Sequence, residues 1–524
     1  PPAATATAVG PAATSTPQVV PGTGILIDGE QQDIATLDPS DRSDYAIKAA
    51  NLALYDRFWW QVGWPPILAP QLCVDFGSSD DAKEWTFQLT DKAVFHDGSA
   101  LTAEAVKYSY DRTLRMAKSM ASALLPLMDE DSVEVVDDYS LRIVLNNAFA
   151  ELPWLLNDIF IMNPKQVMDN EVAGDEGADW LIDHEAGSGP FTVKRWEPGT
   201  VYEFEALPDY WRGWPGDGRL DGFVWKIVRE PVAKRMQLIA GEIDTASQIA
   251  IDDIPLVDAN PGTHVVSNVA YMSGYIKMNC QRDPFTDVNF RKFVSYAFDY
   301  DGLVALRGGP EFGPLLTGPL PDGVPGHDAG VTPVYRQDLD LAREYLDKTT
   351  WKDGGLRDLT FNYSTGGEWV EQIGLVLQEN LAGFGINLKL VSALWPDRVA
   401  ACAHPDTAYD TTCMFVDQGP VATSWFRYQW YSPFWDQPAG GGFQSCSFYK
   451  NDEVNALVGQ AEVTVDDYER ESLVSELQHL VMEDAPDIML FNYPLFIGMS
   501  DRIKGHEPTG YSCVEHYRVW LGEA

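Results

Sequence analysis

The chain has 524 residues, 45% of them hydrophobic, and a formal net charge of −41. It is long enough to bury more than one core, and its charge has the wrong sign for binding nucleic acid through phosphates. No run of about 18 apolar residues occurs, which excludes a helix spanning a membrane, and the acidic residues are dispersed in the manner of a solvated surface.

Residues 1–22 are mostly Ala, Pro, Thr, Val and Gly and carry no charge; they read as a flexible tail. The run Ile25–Ile27 reads as a short buried strand. The aromatic cluster Tyr55, Phe58, Trp59 and Trp60 falls at a helix end and the loop after it. Farther on, Trp85, Phe87 and Leu89 alternate with Thr86, Gln88 and Thr90, the two-residue period of a half-buried strand. His96, Asp97 and Gly98 form a turn, with Gly98 free to take positive φ. Thr102 reads as the N-cap of a helix over 103–112, with Glu104 favourable in its first turn and Arg112 near its end. Ala105, Val106, Ser109 and Tyr110 form its packed stripe.

These residues also carry a resemblance. Phe95, His96, Asp97, Gly98, Leu101, Thr102, Ala103, Glu104 and Val106, in that order, resemble the signature of the family 5 extracellular solute-binding proteins. These are the peptide, nickel and oligosaccharide receptors of ABC importers. Lys92 departs from the family, which usually has a glycine there. Later phrases follow in register. Gly187, Ser188, Gly189 and Pro190 lead into a strand, and their glycines let the backbone come close to another segment. Tyr210 and Trp211, then Gly241, Glu242 and Asp244, match next. Asn279, Pro284, Phe285, Asp287 and Arg291 follow, and Tyr449, Asn451, Leu457 and Ala461 close the series. The resemblance covers about residues 25–510.

Between these phrases the pattern supplies ordinary elements. Strands at 132–136 and 141–145 are joined by a turn at 137–139, and an apolar helix begins at 152–156. A strand at 223–228 and a helix at 232–240 follow. Asp287 reads as an N-cap, with Phe290, Phe293, Val294, Ala297 and Phe298 as a buried helical face. Beyond lie a helix at 339–346, a strand at 359–363, a helix at 369–381 ended by Gly383, and strands at 385–391 and 411–416. An aromatic-rich loop spans 425–435. Helices at 449–461 and 470–483 precede a strand at 488–491. This alternation predicts an α/β fold with a mainly parallel sheet.

The resemblance implies a bilobal periplasmic-binding-protein fold, type II-like, with an extra subdomain in lobe one. We expect lobe one at 23–270 plus 492–524 and lobe two at 271–491, with crossings near 270 and 491 as the hinge. The function implied is that of a non-enzymatic receptor, periplasmic or extracellular. It would deliver a small polar solute to an ABC permease, a peptide in first place and an oligosaccharide as the alternative. The expectation includes a monomer, no cofactor and no metal. The tail suits a lipid tether, with any export signal already removed. No G-x-S-x-G, H-E-x-x-H or P-loop is present, so the rival reading from another class, a secreted hydrolase, finds little support and is disfavoured. The eight scattered histidines argue for no nickel or metallophore receptor.

In peptide-binding relatives, an aspartate after the strand equivalent to 411–416 pairs with the ligand's amino terminus, a role that falls to Asp417. Dipeptide-binding relatives hold a carboxylate with an arginine after the strand equivalent to 359–363. Here residues 364–368 contain no arginine. Among the 17 tryptophans, Trp59, Trp60, Trp395, Trp425 and Trp430 are candidates for packing against a ligand, with Arg427 beside them. The six cysteines show no C-x-x-C. Their even number permits disulfides: Cys402 and Cys413 could close a short loop, or the cysteines stay free and buried.

Overall fold

The computed structural model describes residues 24–523 apart from 42–43, 119–120, 215–217, 437–441, 508–509 and 511–512. The segment 1–22, expected as a tail, lies outside the described residues. Among the described residues, ten strands join in one sheet. Two long neighbouring strands, Thr263–Met278 and Asp487–Ser500, run antiparallel at its centre. Their register slips between Val269 and Ser273 and again between Ser273 and Tyr275. On one side of the slip lie Thr411–Asp417, Leu359–Ser364 and Leu388–Ala393. On the other lie Thr245–Ala246, Ile25–Glu30, Gly222–Ile227, Val201–Ala206 and Phe191–Glu197.

The sheet is mixed, not mainly parallel. Leu359–Ser364 is parallel to both its neighbours, and Ile25–Glu30 to both of its own. The two central strands and the outer strands at 191–206 pair antiparallel. Sequence alternation alone misses this, because a long strand crossing the molecule carries no local mark of its direction.

Buried apolar residues gather in separate cores on the two sides of the slip. The buried members of one run from Tyr271 to Phe491. A second runs from Leu26 to Trp225 and is completed by Ile497 to Val519. A smaller core with Ile27, Leu238 and Phe496 lies beside it. A further core underlies a four-stranded sheet formed by Cys73–Ser78, Glu84–Leu89, Ser140–Val144 and Val133–Asp137, in that order. There Trp85, Phe87 and Leu89 are buried and Thr86 and Gln88 exposed, as their period predicts.

The helix Ala103–Met116 packs Ala105, Val106, Ser109 and Tyr110 inward. Thr102 holds the N-cap conformation, but its side chain makes no capping bond. Arg112 does not act as an exposed last-turn cation. It is buried and makes two 2.7 Å bonds to the Asp38 carboxylate. The glycines at 187–189 allow a close approach: a Cβ at Gly187 would sit 1.8 Å from the Leu54 carbonyl oxygen, at the end of the helix Tyr45–Leu54. Asp287 caps its helix by accepting from Asn289 N at 2.8 Å.

Two further expectations change. The aromatic stretch 425–435 is helical, in Ala422–Trp430 and Ser432–Trp435, because Ala422, Trp425, Phe426, Gln429 and Trp430 bury one helical face. The disulfide joins Cys402 to Cys446. Cys413 cannot serve as the partner: it sits inside a central strand, paired with Ile276, with its thiol free in the core. Burial pushes that thiol up to about 12.

Candidate functional site

A cavity of about 400 Å³ opens where residues of the different cores meet. One wall is the start of the helix Tyr45–Leu54. Asp44 caps it, accepting from Ile47 N at 3.0 Å. Ala46, Ile47, Ala49 and Ala50 bury the far face, so Tyr45 and Lys48 are left to line the cavity. Lys48 is ion-paired with Asp158 at 3.2 Å, and Trp154 belongs to the same wall. Gln61 contributes from the strand Trp59–Val62, and Gly510 and Cys513 from the returning C-terminal segment.

The opposite wall is built by 417–428. Asp417 ends its strand, exposed, and accepts from Gly419 N at 2.8 Å. Ser424 and Tyr428, one turn apart on the helix Ala422–Trp430, face the same space. Tyr271, at the crossing between the cores, closes the back. Among the described residues, the cavity therefore presents the carboxylates of Asp44, Asp158 and Asp417 and the ammonium of Lys48. Such a surplus favours a cationic group on a ligand. The carboxyl end of a sheet strand is also where α/β proteins commonly present binding groups.

Behind this wall lies a buried carboxyl. Tyr45 Oη donates to Glu30 Oε2 at 3.1 Å, and the Ser247 hydroxyl donates to the same oxygen. Burial, reinforced by Asp28, pushes the Glu30 carboxyl up to about 8.

Of the expected site residues, Asp417 lines the cavity and the others do not. Trp425 is fully buried, and its Nε1 donates to the Gly419 carbonyl at 3.0 Å. It therefore holds the turn beside Asp417 from below. Trp430 is likewise buried, donating to Asp487 Oδ2 at 2.8 Å. Trp59 packs edge-on to Phe58 and Phe76 in the core under the four-stranded sheet. Trp60 stacks on Tyr517 at 5.1 Å and borders a separate depression with Arg212 and Trp520. Trp395 is 47% exposed and packs against Phe443 away from the cavity. Arg427 forms a two-pronged ion pair with Glu462.

Sequence reasoning passed over Tyr45, Lys48, Gln61, Trp154, Tyr271 and Tyr428. The polar stripe Asp44, Tyr45 and Lys48, opposite an Ala-rich face, was the available signal. Among the described residues no group of three or more His, Cys, Asp or Glu gathers to hold a metal ion.

Separate cores on the two sides of a pair of crossing strands, with a cavity walled from both sides, define a bilobal binding protein. The family model for bacterial extracellular solute-binding proteins, family 5 middle region, matches residues 68–438, and the chain belongs to that family. The chain is 29% identical over 492 residues to the Probable D,D-dipeptide-binding periplasmic protein DdpA of Escherichia coli (strain K12), covering 92% of this chain and 91% of that one. It is 25% identical to the glutathione-binding protein GsiB of Pectobacterium atrosepticum, covering 90% and 89% of the two chains. Its fold matches the substrate-binding protein CtaP of Listeria monocytogenes with a TM-score of 0.82 at 21% identity, over 96% of this chain and all of that one. No helix among the described residues is long and apolar enough to cross a membrane.

Proposed function

We propose that this chain is the extracytoplasmic receptor of an ABC importer for short peptides, which it holds between its lobes and releases unchanged to a permease. The observation that carries the reading is the carboxylate surplus of the interlobe cavity, with Asp417 at its mouth, suited to a peptide's amino terminus. Two curated relatives are named for short peptides, a D,D-dipeptide and glutathione. The oligosaccharide alternative is disfavoured. Trp59, Trp425 and Trp430, which would have offered faces to sugar rings, are packed in cores. The lobes would move about the register slip at 269–275. The Cys402–Cys446 disulfide suits an oxidising compartment. The working place is then the outer side of the cytoplasmic membrane, with the chain tethered there or free in the periplasm.

The test is a thermal-shift and calorimetric screen of Ala-Ala, D-Ala-D-Ala, Ala-Ala-Ala, glutathione, their N-acetylated forms and maltooligosaccharides. Binding at a hundredfold excess over Kd stabilises the fold by about 2.7 kcal/mol. We expect free-amine peptides to bind and to be recovered intact by mass spectrometry. Binding of sugars alone, or steady release of a cleaved product, overturns the reading.

A further inference from the structure

A second cavity, of about 1010 Å³, lies beside the first at the junction of the lobes. Its walls include Gln248 to Asp252 from one side and Leu303, Ala305 to Gly308, Trp369 and Phe415 from the other. Its cation is Arg307, at the end of the helix Tyr300–Leu306. Nε of Arg307 donates to the Phe312 carbonyl at 2.8 Å. The guanidinium carbon lies 4.4 Å from the centroid of Phe491 and 5.4 Å from those of Trp369 and Tyr493. Gly313 makes room for it, since a Cβ there would meet Nε at 2.7 Å.

Among the described residues no carboxylate pairs with Arg307, and neither terminal nitrogen makes a hydrogen bond. Asp252 lines the same cavity without reaching it. Arg398, which also lacks a carboxylate, differs: it satisfies its nitrogens on Asn362, Ser364 and the Cys413 carbonyl. A half-buried guanidinium in an aromatic cage, with its two-pronged end facing a cavity, is arranged to receive a planar anion. Burial disfavours its charge, with Tyr493 opposing that effect, so an arriving anion gains more there than in water.

The two cavities adjoin. Met272, a wall of the second, pairs in the sheet with Asp417, a wall of the first. Phe415 precedes Asp417 by two strand positions, about 7 Å along the chain, and lines the second cavity.

We propose that Arg307 and its aromatic cage form the carboxylate subsite of the cleft, so that the solute is a zwitterion with its ammonium toward Asp417 and its carboxylate on Arg307. This rests on the peptide reading and names the group that replaces the arginine absent from 364–368.

The test compares each peptide that binds with its C-terminal amide, on wild type, Arg307→Met and Arg307→Lys. We expect the amide to bind the wild type about thirtyfold more weakly, the equivalent of 2 kcal/mol. Arg307→Met should bind acid and amide alike, and Arg307→Lys should keep part of the preference. Equal affinity of acid and amide for the wild type overturns the subsite. If no peptide binds, the peptide reading fails and a second arm decides the subsite alone. The protein is labelled with 5-fluorotryptophan, and the Trp369 resonance is assigned by Trp369→Phe. Sodium acetate should shift that resonance in wild type, sodium chloride should not, and Arg307→Met should not respond. A Trp369 resonance indifferent to acetate then overturns the subsite.

Discussion

Glu151 caps a helix that belongs to the other lobe: its carboxylate accepts from Ala422 N at 3.0 Å and from both the backbone N, at 3.1 Å, and the hydroxyl of Thr423. Next to it, Ala150 N donates to the Glu462 carbonyl at 2.6 Å. Val421 joins the core under the four-stranded sheet. Across the cavity, Trp64 lies on Tyr271 at 5.2 Å and fills the space that a Cβ at Gly323 would need. The lobes are thus in contact on both flanks of the cavity. Burial raises the Glu151 pKa, opposed by the bonds from Thr423 and by Arg470, so the carboxylate depends on the helix start it caps.

Glu151→Ala leaves the donors at the start of the Ala422–Trp430 helix unsatisfied. We expect a loss of about 1–3 kcal/mol in stability. We also expect a larger radius of gyration for the unliganded protein by small-angle scattering. An unchanged radius and melting temperature would show that other contacts hold the lobes.

Asp417→Asn keeps the shape of the cleft mouth and removes its charge. Affinity for free-amine peptides should fall by about 2–5 kcal/mol, while N-acetylated peptides, weak in both proteins, should not change. An equal loss for both would assign Asp417 to the Gly419 turn alone.

Trp425 should influence binding without touching a ligand. Trp425→Phe keeps a buried aromatic ring, though a smaller one, and deletes the bond to the Gly419 carbonyl, costing about 1–3 kcal/mol of stability. It should also weaken peptide binding by loosening the Asp417 turn. Calorimetry on a folded variant with wild-type affinity would contradict this.

Glu30 makes stability depend on pH. Its carboxyl titrates near 8 in the folded protein and near the ordinary 4.5 in the unfolded chain. Between these values the unfolded chain has released a proton that the folded chain keeps, so raising pH through the window favours unfolding. Glu30→Gln should therefore melt progressively higher relative to wild type as pH rises from 5 to 8, with the gap constant above that. Parallel melting curves would refute the assignment.

The Cys402–Cys446 bridge spans 44 residues, for which chain entropy predicts about 4 kcal/mol of stabilisation. Cys402→Ala with Cys446→Ala should lower the melting temperature. Dithiothreitol should do the same to wild type and have no effect on the double variant.

Elements with a strong local period were legible in the sequence. Trp85, Phe87 and Leu89 declared a half-buried strand, and Asp287 with the Phe290, Phe293 and Val294 face declared a capped helix. Asp417 was singled out because the family resemblance sets an aspartate after the strand at 411–416, and the structure puts it in the cavity wall. The tryptophans misled, because an indole has the same composition whether it faces a ligand or fills a core. Only the helical face that Trp425 and Trp430 share with Ala422, Phe426 and Gln429 separates the cases. Arg307 carried no sequence signal, since its setting is made by Trp369, Phe491 and Tyr493, far away along the chain. The Cys402–Cys446 pairing likewise depends on how separate segments converge.

The membership of the cores sets an order of assembly. The buried residues of the core built from Tyr271 to Phe491 all come from that stretch, with Trp64 and Tyr493 packing on it from outside. The core that begins at Leu26 needs Ile497 to Val519, and the core containing Ile27 needs Phe496. A chain emerging amino end first can therefore complete its second half while its first half still waits for a strand and a tail. A shortened chain ending at 491 should retain the folded 271–491 core and leave the first half open. Protease protection would then map to the later-made part of the sequence rather than the earlier one.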